Sequence, residues 1–139
     1  MKVLVPIDGS KNALKAVKHA GHMASLEADL EITLMYVITF EPKSLREASY
    51  IEKSSQNEAN EILEIATQVI RDEASDAKVE TVIKRGFNAA DVILEYAELE
   101  KCDMIVMGTR GLSNVKRFLL GSVSSHVSQH SPCTVTLVK

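Results

Sequence analysis

Apolar and polar positions along the chain fall into short strand-like blocks alternating with longer helix-like ones. Residues 3–7 form a continuous apolar run, the pattern of a strand buried on both faces. Asp8-Gly9-Ser10 interrupts it, and Ser10 is suited to cap a helix in which Ala13, Val17, Ala20 and Ala24 recur at helical spacing. Residues 30–38 alternate at first and turn apolar toward their end, a second strand, and the loop that follows contains Pro42. Ser44-Leu45-Arg46-Glu47 has the form of a capping box, which predicts a long helix with Ala59, Ile62, Leu63, Ala66, Val69 and Ile70 along one stripe. Residues 78–85, with Val79, Val82 and Ile83, read as a third strand; residues 88–100 read as a helix with Ala89, Ile93 and Ala97 on one face. Residues 103–107 are a strand with an apolar centre, ending at Gly108. A loop leads to a helix over about residues 121–130 that Pro132 stops, and residues 133–138 form a last strand rich in β-branched side chains.

Buried strands alternating with helices predict an α/β fold, a parallel sheet covered on both faces. Ligands of such open sheets bind beyond the carboxyl ends of the strands, where strand order reverses. Three polar or glycine-containing junctions lie at such ends: Asp8-Gly9-Ser10, residues 37–40 and residues 108–111.

The length of 139 residues matches one domain, residues 1–139, large enough to be held by its apolar core. Sixteen Lys and Arg against 19 Asp and Glu give a net charge of −3, which excludes a generally basic nucleic-acid binder but leaves room for a local basic patch. Two cysteines, Cys102 and Cys133, make no disulfide framework and suit a reduced compartment. No apolar run approaches the ~18 residues of a membrane span. The opening residues lack the pattern of a secretory signal. The expectation is a cytoplasmic protein with neither membrane nor nucleic acid as partner.

Chemistry concentrates in Met107-Gly108-Thr109-Arg110-Gly111, followed after nine residues by Gly121-Ser122-Val123-Ser124. Glycines 108 and 111 leave room for backbone amides to approach an anion. Gly121 and Ser122 open a helix whose free amides and positive dipole end face the same region. Ser122 and Ser124 add hydroxyls, while Arg110, Lys116 and Arg117 add positive charge. Together they predict a polyphosphate cradle.

This G-x2-G-x9-G-[S/T] pattern resembles the nucleotide motif of the universal stress protein family. The resemblance extends to Val5-Pro6-Ile7-Asp8-Gly9-Ser10, Tyr36-Val37, Arg117 ahead of Leu120-Gly121-Ser122-Val123, and Ser131-Pro132-Cys133-Thr134-Val135. It implies an open, five-stranded parallel sheet in order 3-2-1-4-5, Rossmann-like and of the adenine nucleotide alpha hydrolase kind, with an ATP-binding cleft. By the same resemblance Pro6, Ile7, Asp8 and Gly9 border the adenosine, with Ser10 among the nucleotide-binding residues, and Val37 presents backbone to the adenine. Gly108, Arg110, Gly111, Gly121, Ser122, Val123 and Ser124 would then line the ribose and phosphates, with Met107 and Thr109 also among the nucleotide-binding residues. A homodimer through Thr134, Val135, Thr136, Leu137 and Val138 is also implied. Asp8 admits two readings: a ligand contact, to ribose or adenine donors or to Mg2+ or Mn2+ held with the phosphates, or a turn residue that helps to cap the first helix.

Other patterns carry less. His19-Ala20-Gly21-His22 spells the H-x-G-H of nucleotidylyl transferases, but lies too far into the first helix to meet phosphates there. His126 and His130 stand four apart with no third ligand in sequence, and His130 suits the helix C-terminus. No Walker A, G-x-G-x-x-G or H-E-x-x-H motif occurs, and no catalytic base is evident beside the cradle. The leading expectation is an ATP-binding regulatory protein of the stress response; the alternatives are a slow Mg2+- or Mn2+-dependent ATPase and a nucleotide-free dimeric scaffold.

Overall fold

In the computed structural model, residues 1–40, 45–110 and 120–139 are described, residues 45–54 by backbone alone. Strands and helices alternate as β1 (Lys2–Ile7), α1 (Lys11–Leu26), β2 (Glu31–Thr39), α2 (Leu45–Glu73), β3 (Lys78–Gly86), α3 (Ala89–Leu99), β4 (Met104–Gly108), α4 (Ser122–His130) and β5 (Thr134–Val138). The strands form one parallel sheet in the order β3-β2-β1-β4-β5. Each predicted element is present, with ends shifted by about one residue where a cap sits just outside the helix. Of the expected features, Ser44 of the capping box, Gly111, Lys116 and Arg117 lie outside the described residues, and Glu47 is described by backbone alone.

Alternation of side chains along the central strands builds two cores. Val3, Val5, Ile7, Ile32, Leu34 and Val106 meet Ala13, Ala16, Val17 and Ala20 of α1 and Leu63, Ala66 and Ile70 of α2. Leu4, Met35, Ile105 and Met107 meet Ala90, Ile93 and Ala97 of α3 and Val127 of α4 on the other face. Burying each Val, Leu or Ile contributes about 1.5–3 kcal/mol, so both faces of β1 and β4 anchor the fold. The alanines of α1 let its axis approach the sheet closely. In α3 the buried stripe is Ala90, Ile93 and Ala97, while the predicted Ala89 is only half-buried. β3 is an edge strand, which is why Val79, Val82 and Ile83 stay partly exposed.

Chain reversal after β1 is built from three consecutive residues. Gly9 has φ +84°, a left-handed conformation that a side chain resists. The Ser10 amide donates to Asp8 Oδ1 at 2.9 Å, and Ser10 Oγ accepts from the Ala13 amide at 3.1 Å, capping α1.

Candidate functional site

β1 pairs with β2 as far as Ile7↔Tyr36, but with β4 only at Val3↔Met104 and Leu4↔Ile105. Pro6, which carries no N–H, stands just beyond that point, and the two strands part. β1 leads into α1 on one face, and β4 leads toward α4 on the other. Their carboxyl ends therefore open a crevice at the position where the order of the sheet reverses.

A cavity of about 210 Å3 occupies the crevice. Pro6, Ile7, Asp8, Val37, Met107, Gly108, Arg110, Gly121, Ser122, Val123 and Ser124 line it, all of them predicted site residues. Ala13, Met35, Ala89 and Ile93 also line it and were missed. Met35 was accessible to sequence reasoning, since it shares a sheet face with Val37 two residues on. Ala89 and Ile93 were not, because only packing brings α3 over this end of the sheet.

The cavity has two chemically distinct parts. Met35, Val37, Ile93 and Met107 give an apolar slot against the α3 and α4 side of the sheet. Asp8, Arg110 and the first turn of α4 give a polar rim. Gly121 is the N-cap of α4 and provides no side-chain cap, and the first turn contains no acidic residue. The positive end of the α4 dipole is thus not offset by its own first turn.

Backbone bonds hold that helix end in place. The Thr109 carbonyl accepts from the Gly121 amide at 2.7 Å and from Ser124 Oγ at 2.9 Å. The Thr109 amide donates to the Val138 carbonyl at 3.1 Å, which ties the junction to β5. Ser124 Oγ also lies 3.1 Å from the Gly121 carbonyl, so the hydroxyl expected to be a free donor is engaged by backbone. Gly9, Ser10 and Thr109 are not among the lining residues: Gly9 makes the turn, Ser10 caps α1, and Thr109 is the buried clamp. Gly108 lines the cavity and also faces a second neighbour. A Cβ there would stand 2.8 Å from the Asn12 backbone carbon, so the glycine admits α1 against β4.

Asp8 lines the cavity, and its Oδ1 accepts from the Ser10 amide, the turn role considered for it. Burial, then the Glu58 and Asp8 carboxylates, push the Tyr36 phenol above its ordinary range and keep it neutral.

The histidine patterns lie apart from the cavity. His19 and His22 are exposed on α1. The rings of His126 and His130 stack with centroids 4.4 Å apart, and His130 Nδ1 lies 3.0 Å from the His126 carbonyl, which can only accept. His126 Nε2 is 3.4 Å from Asp91 Oδ1. Among the described residues no group of three His, Cys, Asp or Glu side chains is placed to hold a metal ion. Cys102 and Cys133 pack half-buried against the α3 and α4 core, and burial raises the Cys102 thiol above its usual range. No described helix is long and apolar enough to cross a membrane.

A parallel sheet in this order with a cleft at its reversal point defines a Rossmann-like α/β protein with a crevice at the strand ends. The family model described as "Universal stress protein family" matches residues 1–139, and the chain belongs to that family. It is 35% identical to universal stress protein MJ0531 of Methanocaldococcus jannaschii over 99% of this chain and 81% of that one. Among solved structures, universal stress protein UspA from Lactobacillus plantarum superimposes with a TM-score of 0.87 at 25% identity, covering 100% of this chain and 97% of that one. A universal stress protein in complex with cAMP superimposes with a TM-score of 0.75 at 26% identity, covering 99% and 95% of the two chains.

Proposed function

We propose that the crevice binds an adenine nucleotide, ATP in the leading reading, and that the protein acts as a nucleotide-dependent regulator in a stress response. One observation carries the reading. The N-terminus of α4, without a side-chain cap or first-turn acid, faces the same cavity as the apolar slot of Met35, Val37, Ile93 and Met107. A planar base suits the slot, and an anionic phosphate suits the helix end. The volume of about 210 Å3 falls below the ~300 Å3 at the lower end of small-molecule pockets, so the base and sugar fill it and the phosphates extend over the open rim. The cAMP complex of a relative supports an adenine nucleotide as the ligand class. Asp8, unsuited to a phosphate, is assigned to ribose or base donors, or to a divalent cation shared with the phosphates.

The regulatory part of the proposal rests on the connection between site and sheet edge. Thr109 hydrogen-bonds α4 through its carbonyl and Val138 of β5 through its amide. β5 is an edge strand in which Val135, Thr136, Leu137 and Val138 are half-exposed and no charge or proline intervenes. Antiparallel pairing with a second copy would satisfy that edge in a closed dimer. Displacement of the α4 end by ligand would then be felt at the dimer edge, and linkage requires the reciprocal effect on nucleotide affinity.

Mass spectrometry of nucleotide carried by freshly purified protein, followed by calorimetric titration with ATP and Mg2+, tests the binding reading. ATP retained or bound is the expected result. No binding of ATP, ADP or AMP would overturn it in favour of a nucleotide-free scaffold, and co-purified ADP with sustained phosphate release would favour a slow ATPase.

A further inference from the structure

The chain has two cysteines, Cys102 and Cys133, and the fold brings both to the amino ends of neighbouring strands. β4 and β5 are parallel partners from Met104↔Thr134 onward, so one step earlier Cys133 stands beside Asp103 and diagonal to Cys102. With strands ~4.8 Å apart and a rise of ~3.3 Å per residue, that diagonal separates the two Cα atoms by about 6 Å, within the roughly 4.4–6.8 Å that a disulfide spans. Both side chains turn to one face. Cys133 shares the α3 and α4 side of the sheet with Val135 and Leu137, two and four residues on. Cys102 precedes β4: Lys101, with φ +53°, turns the chain after α3, and the Cys102 amide donates to the Ala97 carbonyl at 2.9 Å. The alternation of β4 therefore does not govern its side chain, which packs against the same core as Cys133. Burial raises the Cys102 thiol, and a negative charge on Cys133 raises it further, so each sulfur lies within the other's field.

Neither thiol is sealed from solvent. Both cysteines are half-buried, and Cys102 lines a cleft of about 440 Å3 with Lys2, Tyr96 and Glu100. This cleft lies at the amino end of the sheet, away from the crevice at the carboxyl end. Ser131 fixes the backbone of Cys133, its Oγ accepting from the Cys133 amide at 3.1 Å and donating to the Cys133 carbonyl at 2.8 Å. We infer that Cys102 and Cys133 form a reversible intramolecular disulfide when the protein meets hydrogen peroxide. One thiolate attacks the O–O bond and takes up oxygen as a sulfenic acid, releasing the first water. The second thiolate attacks that sulfur, forms the S–S bond and expels hydroxide, which leaves as the second water. Two thiols and one peroxide thus give one disulfide and two waters, and a dithiol reductant reverses the oxidation. The bond closes a loop that contains α4 and both ends of the glycine motif, and it ties the start of edge strand β5 to the turn after α3. The inference stands apart from the nucleotide reading.

The test treats reduced wild-type protein with hydrogen peroxide, alkylates the remaining thiols with iodoacetamide and reads intact mass without reductant. The expected product is a monomer lighter by two hydrogens that takes up no alkyl group. Its digest should contain a peptide cross-linked between Cys102 and Cys133, and dithiothreitol should restore two alkylatable thiols. The rate should be independent of protein concentration and should rise from about pH 7 to 9, because the thiolate attacks and burial keeps Cys102 protonated. Closing a loop of about 30 residues in a chain of 139 should raise Tm by about 7–14 °C over the reduced form. Cys102→Ser and Cys133→Ser each leave a single thiol, which should gain oxygen or link two chains with no such rise. Oxidised wild type that still takes up two alkyl groups, gains oxygen on both sulfurs or cross-links only between chains overturns the pairing. A cross-link that fails to raise Tm marks a bond the native fold does not accommodate, and overturns it equally.

Discussion

Gly108 and Gly121 belong to the same sequence motif, yet the structure separates their roles by an amount that can be measured. A Cβ on Gly108 would lie 2.8 Å from the backbone carbon of Asn12, 2.9 Å from its oxygen and 3.0 Å from its Cβ. Carbon atoms pack best at about 3.5–4.0 Å, so the overlap is at least ~0.7 Å against helix backbone that cannot rotate away. Gly108→Ala therefore forces the first turn of α1 off β4, and overpacking of this kind costs about 1–3 kcal/mol. With an unfolding entropy of about 2.1 cal/mol/K per residue, 139 residues give ~0.3 kcal/mol/K, so a loss of 2 kcal/mol lowers Tm by about 7 °C. Gly121→Ala is the control. Gly121 has φ −61°, and its added Cβ would meet Arg110 Cα and the Thr109 oxygen at 3.4 Å, close to ordinary contact. Restricting the unfolded chain at a compatible position stabilises by about 0.4–1 kcal/mol, so Tm should hold or rise by up to ~3 °C. Thermal unfolding followed by circular dichroism, on apo protein at one fixed concentration, reads both. Equal Tm for Gly108→Ala and wild type, or an equal loss in both variants, would refute the assignment of Gly108 to helix packing.

Further expectations concern binding, turnover and assembly. Gly121→Val carries methyls ~1.5 Å beyond a Cβ already in contact with Thr109 and Arg110, so it should displace the α4 end and abolish ATP binding while circular dichroism stays native-like; unchanged calorimetric affinity would refute the cradle. Arg110→Ala should weaken ATP only about 3- to 10-fold, and less at high salt, because charge contacts at an open rim are screened; complete loss would show that the side chain, and not the backbone, dominates. Phosphate release with Mg2+ or Mn2+ should stay well below ~1 s−1, since no positioned base stands beside the cavity among the described residues; multiple turnover at or above that rate would establish a true ATPase. Val135→Pro should shift a light-scattering dimer toward monomer by removing an edge donor; a wild-type monomer at high micromolar concentration, or a dimer indifferent to both Val135→Pro and Leu137→Pro, would exclude β5 as the interface.

Local chemistry determined much of this protein before any tertiary contact entered. Periodicity located the strands and helices, because an element with one buried face must repeat its apolar residues at two or 3.6. Ser10 and Pro132 punctuated helices in the expected way, since capping and stopping involve atoms only a few residues apart. Most of the cavity lining was legible too, because Pro6 to Asp8, Val37 and the two ends of the glycine motif all lie at strand ends or at the start of a helix.

Tertiary structure alone decided how those residues divide the work. Gly108 looks like a phosphate-loop glycine, but the backbone it makes room for belongs to Asn12, almost a hundred residues earlier. Ser124 looks like a ligand donor until Thr109 is seen to hold its hydroxyl, a bond that exists only when β4 and α4 are brought together. Ala89 and Ile93 reach the cavity because α3 packs across the sheet. In each case the deciding partner is distant in sequence, and the energy of the contact depends on where the sheet places it. Spacing along one segment can report that a residue has the right atoms for a role; packing across the sheet determines which neighbour uses them.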